Sequence, residues 1–192
     1  MAKRKIDFQD LMAETERLLL EKGYDGFHFK LLANRLNVAR STIYEYYASK
    51  EELVTAYMIN IMNRLTAESE ALKPLASPLM HLKELMQIFI KYSQIHQITQ
   101  MIPLINRDSS PAVKSSIDRL SEEHTRLYQT ITDLIEKAKQ TDEIRSDIPS
   151  SVLARVYFTA IEIPNDDAMN HRDWSELIFQ VLYEGMSGTK RS

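Results

Sequence analysis

The stretch from Glu21 to Leu53 reads EKGYDGFHFKLLANRLNVARSTIYEYYASKEEL and contains two short helical patterns separated by a turn. From about Phe29, leucines recur at helical spacing, so they can form one apolar stripe on a short helix that begins after His28. Asn37 follows the stripe, and asparagine tolerates the left-handed backbone that a corner between packed helices often requires. We therefore expect a helix, a corner at Asn37 and a second helix.

The second helix is expected to start near Ala39. Its exposed faces carry one guanidinium, two hydroxyls and two phenols, which can bind phosphates or base edges, at Arg40, Ser41, Thr42, Tyr44 and Tyr46. Ser49 and Glu52 have the spacing of a capping box, which predicts a third helix with Lys50 at its N-terminus. A cation at that place makes a phosphate-binding point. In such a helix-turn-helix the second helix enters the major groove with its N-terminal residues nearest the bases.

From about Asp7 to Met58 these residues resemble the DNA-binding head of the TetR family of bacterial one-component regulators. The family pattern is similar to EKGY followed by V-S-x-x-T-[LI]-Y-x-[YH]-F-x-[ST]-K-E-E-L, and this chain reads VARSTIYEYYASKEEL from Val38 to Leu53. The resemblance implies base or phosphate contacts at Arg40, Ser41 and Thr42, and phosphate contacts at Tyr44, Tyr46 and Lys50.

Three features depart from the family pattern. Where the family usually has two threonines ahead of the second helix, this chain has Phe27 and His28. His28 is the candidate DNA contact in place of the missing hydroxyl, and Phe27 is expected to form a hydrophobic staple with Leu32. Ala39 stands where the family has a capping serine, which costs roughly 1 kcal/mol of helix stability. Glu45 is an acid on a helix that should face a polyanion; it either accepts a hydrogen bond from a cytosine amine or points away from DNA.

Each of these signals also has a plainer explanation. A helix pair joined by a turn is common in all-helical proteins, and tyrosines two residues apart are usually partly buried surface residues. Lys50 and the two glutamates after it are most often a solvated first helical turn. All the signals fall in one register over about thirty residues, and this conjunction predicts DNA binding.

Length and composition exclude several classes of protein. A chain of 192 residues can hold one medium domain or two small ones. The absence of cysteine excludes disulfides, zinc-thiolate sites and thiol nucleophiles. Acidic residues interrupt the first ten positions, so no signal peptide is expected, and the longest uncharged run, 92–106, is too short and polar to cross a bilayer. We expect a cytoplasmic protein with no membrane partner.

The head is basic relative to the rest of the chain. Residues 1–50 carry nine Lys and Arg against seven Asp and Glu, whereas the whole chain carries 24 against 27. This asymmetry is modest. Affinity for DNA must therefore come from a few placed cations and from the two-fold symmetry of a dimer on a palindromic double-stranded operator.

The predicted fold is all-α, with an N-terminal three-helix helix-turn-helix head and a larger helical body for effector binding and dimerisation. We place the DNA-binding domain at residues 1–55 and the body at residues 56–192. Apolar periodicity predicts body helices at about 50–72, 79–96, from 98, 111–138, 150–163 and 172–186.

The last two predicted helices carry more apolar surface than one small body can cover. Pairing with a second copy into a four-helix interface would cover it, and the alternative is that both helices pack internally. The candidate interface residues are Val152, Val156, Tyr157, Ala160, Trp174, Leu177, Ile178, Val181 and Leu182.

The resemblance also implies a cavity for a small-molecule effector among the middle helices. Methionines suit a variable apolar or amphipathic ligand, and histidine or tyrosine can add polar contacts. The candidates are Met62, Met86, Phe89, His96, Met101 and Tyr128. The alternative is that these methionines are ordinary core and the histidine is a satisfied or exposed residue. An effector would release DNA by favouring a head separation that does not match successive major grooves, ~34 Å apart.

An enzyme is the rival class, and the sequence argues against it. The chain has no Glu-x-x-His di-iron spacing, no His-Glu-x-x-His, no glycine-rich phosphate loop and no Gly-x-Ser-x-Gly elbow. We therefore expect no catalytic residues, no metal and no cofactor. A second alternative is a TetR-like protein that binds DNA constitutively or architecturally, without an effector.

Overall fold

The computed structural model describes residues 6–72, 75–94, 98 and 100–186, and this part of the chain is helical with no strand. The all-α prediction is confirmed. The helices are α1 (Phe8–Gly26), α2 (Phe29–Arg35), α3 (Arg40–Tyr44), α4 (Lys50–Glu70), α5 (Pro78–Lys91), α6 (Pro111–Gln140), α7 (Ser150–Ile161) and α8 (His171–Met186), with 3₁₀ turns at Ile102–Leu104 and Arg107–Ser109.

Helix α1 begins with a side-chain cap and contains a kink. The Asp7 carboxylate accepts hydrogen bonds from the backbone amides of Gln9 at 2.8 Å and Asp10 at 3.2 Å, which satisfies two of the free amides of the first turn. Gly23 has a φ of 67°, a value that glycine adopts without strain. The helix kinks at Gly23 and continues for three more residues.

The corner between α2 and α3 has the predicted backbone. Asn37 has a φ of 52°, in the left-handed region, and the Val38 amide donates to the Ala33 carbonyl at 3.0 Å, which closes the end of α2. Ala39 is extended and is the N-cap of α3, with no side-chain hydrogen bond to the helix. The predicted start of the second helix of the pair, near Ala39, is confirmed by α3.

The first turn of α4 is capped from both directions. Ser49 Oγ accepts from the Glu52 amide at 3.2 Å, and Glu52 Oε2 accepts from the Ala48 amide at 3.1 Å. A standard capping box would return the second bond to the amide of Ser49 itself. The predicted box is therefore present, with its return bond one residue earlier in the chain.

The chain divides into two compact units. The first contains Met1–Asn63 and Gln94–Ser121, and the second contains Arg64–Ser93 and Glu122–Ser192. Helices α4 and α6 each supply residues to both units. The domain boundary that we placed between residues 55 and 56 stays a prediction, because compactness does not measure which segment folds independently.

In the first unit, α2 packs against both α1 and α3. The two members of the predicted staple, Phe27 and Leu32, are fully buried, as is Ile43 from α3. Each such side chain contributes about 1.5–3 kcal/mol relative to leaving it in water. This small core holds the helix pair at the corner in a fixed orientation.

In the second unit, α5, α7 and α8 pack against one another. The fully buried Tyr157 of α7 donates its hydroxyl to the Leu82 carbonyl of α5 at 2.7 Å, and burial raises the pKa of Tyr157 well above its ordinary value. The Glu143 carboxylate bonds to the Ser77 hydroxyl, which caps α5, and accepts from the Leu79 amide at 3.2 Å. Helix α5 ends at Lys91, earlier than the predicted end near residue 96.

We expect Ala39→Ser to raise the melting temperature by about 2–4 °C. The new hydroxyl would accept a hydrogen bond from an amide in the first turn of α3, and such a cap contributes about 1 kcal/mol in a chain of this length. Thermal unfolding followed by circular dichroism measures the effect. Ala13→Ser, at an exposed position inside α1, is the matched control and should not raise the melting temperature. An equal rise in both variants would show that the gain does not come from capping.

Candidate nucleic-acid interface

The first unit contains a cleft of about 570 Å³ at the helix corner. It is lined from the α1–α2 link, from α2 and α3, and from the first residue of α4. The lining residues are Phe27, His28, Phe29, Lys30, Leu31, Arg40, Tyr44 and Lys50. Three of these carry a permanent positive charge, one is a histidine, and none is an acid. A surface with this charge attracts a polyanion.

Arg40 and Tyr44 form a pair on one face of α3. The Arg40 guanidinium donates from Nη2 to the Tyr44 hydroxyl at 2.7 Å, and its central carbon lies 5.2 Å from the centre of the Tyr44 ring. Residues four apart on a helix are neighbours, so the register of α3 brings the two together. Both side chains are exposed, and the pair can therefore meet a ligand directly.

The Tyr44 ring packs against the ring of Phe29. The two ring centres are 5.0 Å apart with an interplanar angle of 65°, an edge-to-face arrangement. Phe29 is the first residue of α2, and its side chain is buried in the first unit. An edge-to-face pair adds roughly 0.5–1.5 kcal/mol beyond area burial. Helix α3 is thus held against α2 by an aromatic contact.

Lys50 is tied to the end of α1. Its ammonium donates to the Tyr24 carbonyl at 3.1 Å and lies 3.9 Å from the centre of the Tyr24 ring. The Tyr24 hydroxyl donates to Glu51 Oε1 at 3.0 Å, and burial together with that bond raises the pKa of Tyr24. Burial alone would raise the pKa of Glu51, yet hydrogen bonds from its own amide, from Tyr24 and from Ser49 bring it below its ordinary value. These contacts with Tyr24 hold the Lys50 ammonium at the start of α4.

The remaining predicted DNA contacts differ in exposure. Ser41 and His28 are exposed, and His28 makes no side-chain bond to the N-terminus of α2 that it precedes. Tyr46 is 43% exposed. Thr42 is only 7% exposed, because α3 buries it together with Ile43 in the first unit. The structure does not bring Thr42 to the cleft.

Sequence reasoning missed Lys30. It is exposed, lies in the first turn of α2 and lines the cleft beside His28. Its position two residues after the expected N-cap was a usable signal, since the first turn of the helix that precedes the recognition helix lies close to the DNA backbone in this motif.

The predicted effector residues lie at several places in the described part of the chain. The second unit has a cleft of about 640 Å³, whose lining includes Phe89 alone among the predicted residues. Met86 of α5 is fully buried. Tyr128 is half-buried and stacks on Phe158 with ring centres 5.7 Å apart. Two of the predicted methionines, Met62 and Met101, belong to the first unit, and His96 lies outside the described residues.

The lining of the cleft in the second unit contains both apolar and acidic side chains. Leu85, Phe89 and Leu127 supply apolar surface. The full lining is Thr66, Ser69, Glu70, Leu72, His81, Leu85, Phe89, Glu123, Arg126, Leu127, Gln129, Thr130 and Asp133. Arg126 donates to Glu123 Oε1 at 3.1 Å. Three carboxylates against one guanidinium leave this cleft net negative, which sequence reasoning did not anticipate.

The predicted interface residues of α7 and α8 separate into two sets. Val152, Val156, Leu177 and Val181 are exposed, the last at 62%. The buried set consists of Tyr157, Ala160 and Ile178, which pack inside the second unit, while Trp174 and Leu182 are half-buried. Ile163 is also exposed and was not predicted as an interface residue. The exposed apolar side chains are here called the α7–α8 stripe: Val152 and Val156 on α7, Ile163 two residues after its end, and Leu177 and Val181 on α8.

Known proteins resemble this chain in two respects, the sequence of the head and the fold of the chain. Residues 11–57 match the family model described as bacterial regulatory proteins, tetR family. No curated protein sequence matches the chain. The fold is similar to that of the ketosteroid transcriptional regulator KstR2 of Mycobacterium tuberculosis, with a TM-score of 0.76 and 14% identity over 97% of this chain and 99% of that one.

Two further solved structures are similar over nearly their whole length. AibR in complex with isovaleryl coenzyme A and operator DNA has a TM-score of 0.69 and 14% identity, over 91% of this chain and 97% of that one. FadR from Bacillus subtilis in complex with stearoyl-CoA has a TM-score of 0.61 and 17% identity, over 94% of this chain and all of that one. At such identities the likeness concerns the fold.

Two further features are absent from the described residues. No helix there combines the length and the apolar character needed to cross a membrane. The same residues hold no group of three His, Cys, Asp or Glu side chains placed to bind a metal ion.

Proposed function

We propose that this chain, whose head at residues 11–57 matches the model of the tetR family of bacterial regulatory proteins, is a dimeric, sequence-specific repressor released from its operator by a small molecule. It acts in the cytoplasm on double-stranded DNA. Family and structural neighbours are transcription regulators and not enzymes.

The observation that carries the DNA-binding part is the acid-free cleft at the helix corner. Arg40 and Ser41 open the recognition helix with exposed side chains, where the N-terminal residues of such a helix meet base edges. Arginine can donate two parallel bonds to a guanine edge. Tyr44, Tyr46 and Lys50, with His28 and Lys30 alongside, supply phosphate contacts that fix the helix in the groove.

Arg40→Ala is expected to abolish one base preference and to weaken operator binding by about 10–100-fold, because a bidentate base contact contributes about 1–3 kcal/mol. Genomic fragments bound by purified protein at near-physiological salt identify the operator, and footprinting with wild type and variant measures protection. Lys30→Ala is the matched control: loss of a phosphate contact should weaken all sequences equally. Binding without any sequence preference in the wild type would favour an architectural protein and contradict the regulator.

Dimerisation is supported by the α7–α8 stripe. Its members, such as Val156 and Val181, are exposed branched aliphatic side chains on neighbouring helices that pack together in the second unit. Contiguous apolar surface on a soluble chain marks an interface, and a self-complementary patch is what a two-fold dimer buries. We propose that this stripe, together with the half-buried Trp174 and Leu182, is the dimer interface. A two-fold dimer then explains a palindromic operator.

Val181→Glu is expected to raise the dimer dissociation constant at least about tenfold, since the interface would bury an unpaired carboxylate. Sedimentation at several concentrations measures the dissociation constant. Gln140→Glu adds the same charge at an exposed position at the end of α6 and should leave the dimer intact. A monomeric wild type, or a Val181→Glu dimer as stable as the control, would place the interface elsewhere.

We propose that the cleft of the second unit binds the effector. Its volume of about 640 Å³ is that of a site for a small organic molecule. The apolar side chains Leu85, Phe89 and Leu127, together with carboxylates in the same lining, suit an amphipathic ligand. Proteins of similar fold have been solved in complex with isovaleryl coenzyme A and with stearoyl-CoA, which supports a small-molecule ligand for this chain as well. The effector releases DNA only if it binds the DNA-free arrangement of the dimer more tightly.

Leu127→Trp should lower the affinity for a neutral lipophilic dye, Nile red, at least about fivefold, because the larger ring fills part of a cleft that ligands of this size occupy. Dye fluorescence measures binding. Leu104→Trp, at an exposed leucine in the first unit, is the control. Compounds that displace the dye should also weaken operator binding. A compound that binds tightly in the cleft and leaves operator affinity unchanged would contradict release by an effector.

A further inference from the structure

We propose that Tyr44 is a positioning residue for base recognition, whose hydroxyl holds the Arg40 guanidinium while keeping its own proton for a DNA phosphate. The inference rests on the proposed DNA-binding function and adds a coupling between two of its contacts. Tyr44 is then more than one phosphate contact among several, because the base contact of Arg40 depends on it.

The first support is the geometry of the pair on α3. Arg40 gives one of its five N–H donors to the Tyr44 hydroxyl, at 2.7 Å from Nη2 to the oxygen. Four donors remain, which is enough for two parallel bonds to the N7 and O6 acceptors of guanine. The ring beneath the guanidinium, 5.2 Å from its central carbon, holds it by a cation–π contact as well.

The second support is that Tyr44 is itself anchored. Its ring meets the buried Phe29 edge-to-face at 5.0 Å, so the position of the phenol is set by the head core. Arginine has many rotamers, and a side chain that is already restrained loses less entropy when it binds. Phe29, Tyr44 and Arg40 thus form a chain of contacts from the core to the edge of the recognition helix.

The third support is the hydroxyl proton. The Tyr44 oxygen accepts from Arg40, and within the described residues its own proton has no acceptor. Tyr44 is 45% exposed, so a phosphate oxygen can approach. A hydroxyl that accepts from a cation is polarised and becomes a stronger donor. One atom therefore joins the phosphate contact to the base contact.

Tyr44→Phe tests the proposal, because it removes the hydroxyl and keeps both ring contacts. Affinity is measured for the operator and for the operator changed at the base pair whose preference Arg40→Ala abolishes. We expect Tyr44→Phe to reduce that preference by about fivefold, and the loss from Tyr44→Phe to be about fivefold smaller when Arg40 is already alanine. Tyr46→Phe removes a second exposed phenol hydroxyl from the same head; as the loss of a phosphate contact alone, it should weaken binding to both operators equally and leave the base preference unchanged.

Nuclear magnetic resonance of the free protein gives a readout without DNA. Rotation about the guanidinium bonds of Arg40 should be slowed in the wild type and in Tyr46→Phe, and become fast in Tyr44→Phe. Fast rotation in the wild type overturns the proposal.

Equal weakening of both operators by Tyr44→Phe, additive with Arg40→Ala, also overturns it and leaves Tyr44 as a phosphate contact only. A wild type with no base preference overturns the proposed function and this inference together. A preference that survives Tyr44→Phe overturns the inference alone.

Discussion

Helix α3 has five residues, and a helix of that length does not form by itself in water, where even about 12–15 residues are marginal. It lacks a side-chain cap as well. It exists because Ile43 is buried in the head core and because the corner at Asn37 sets the direction in which it leaves α2. The side chains that we propose to meet DNA depend on this small core. DNA recognition through them would therefore be sensitive to packing at buried residues that do not touch a base.

The charges of the head are few and restrained. The whole chain is net acidic at −3, so it has no broad electrostatic attraction to DNA. Arg40 rests on the Tyr44 phenol, and Lys50 rests on the Tyr24 ring and carbonyl. Holding a cation against an aromatic ring or a carbonyl limits its rotamers before binding, which lowers the entropy lost in the complex. A weakly charged head can bind DNA through a small number of cations if those cations are already in place.

Helix α7 of the second unit presents apolar side chains on two of its faces, one buried and one exposed. Tyr157 and Ala160 of α7 face the unit's own core, whereas Val152 and Val156 of the same helix face outward. The hydroxyl of Tyr157 donates to a carbonyl of α5, so moving this residue out of the core would break that hydrogen bond and expose a buried aromatic ring. The outward stripe has no such bond to its own chain. That difference separates residues that hold the unit together from residues available to a second copy.

The sequence by itself determined the helix-turn-helix. Corner, cap and register are local, and each is encoded by a residue with a specific backbone preference, such as Asn37 at a φ of 52° and Ser49 at the start of α4. Apolar spacing likewise determined that the chain is all-helical. Only the tertiary structure decided which side chains share a surface. Thr42 and Tyr157 are buried. Lys30 lines the cleft of the first unit, and carboxylates line the cleft of the second unit. These outcomes depend on contacts between helices distant in sequence, and helical periodicity carries no information about which neighbour a given face will meet.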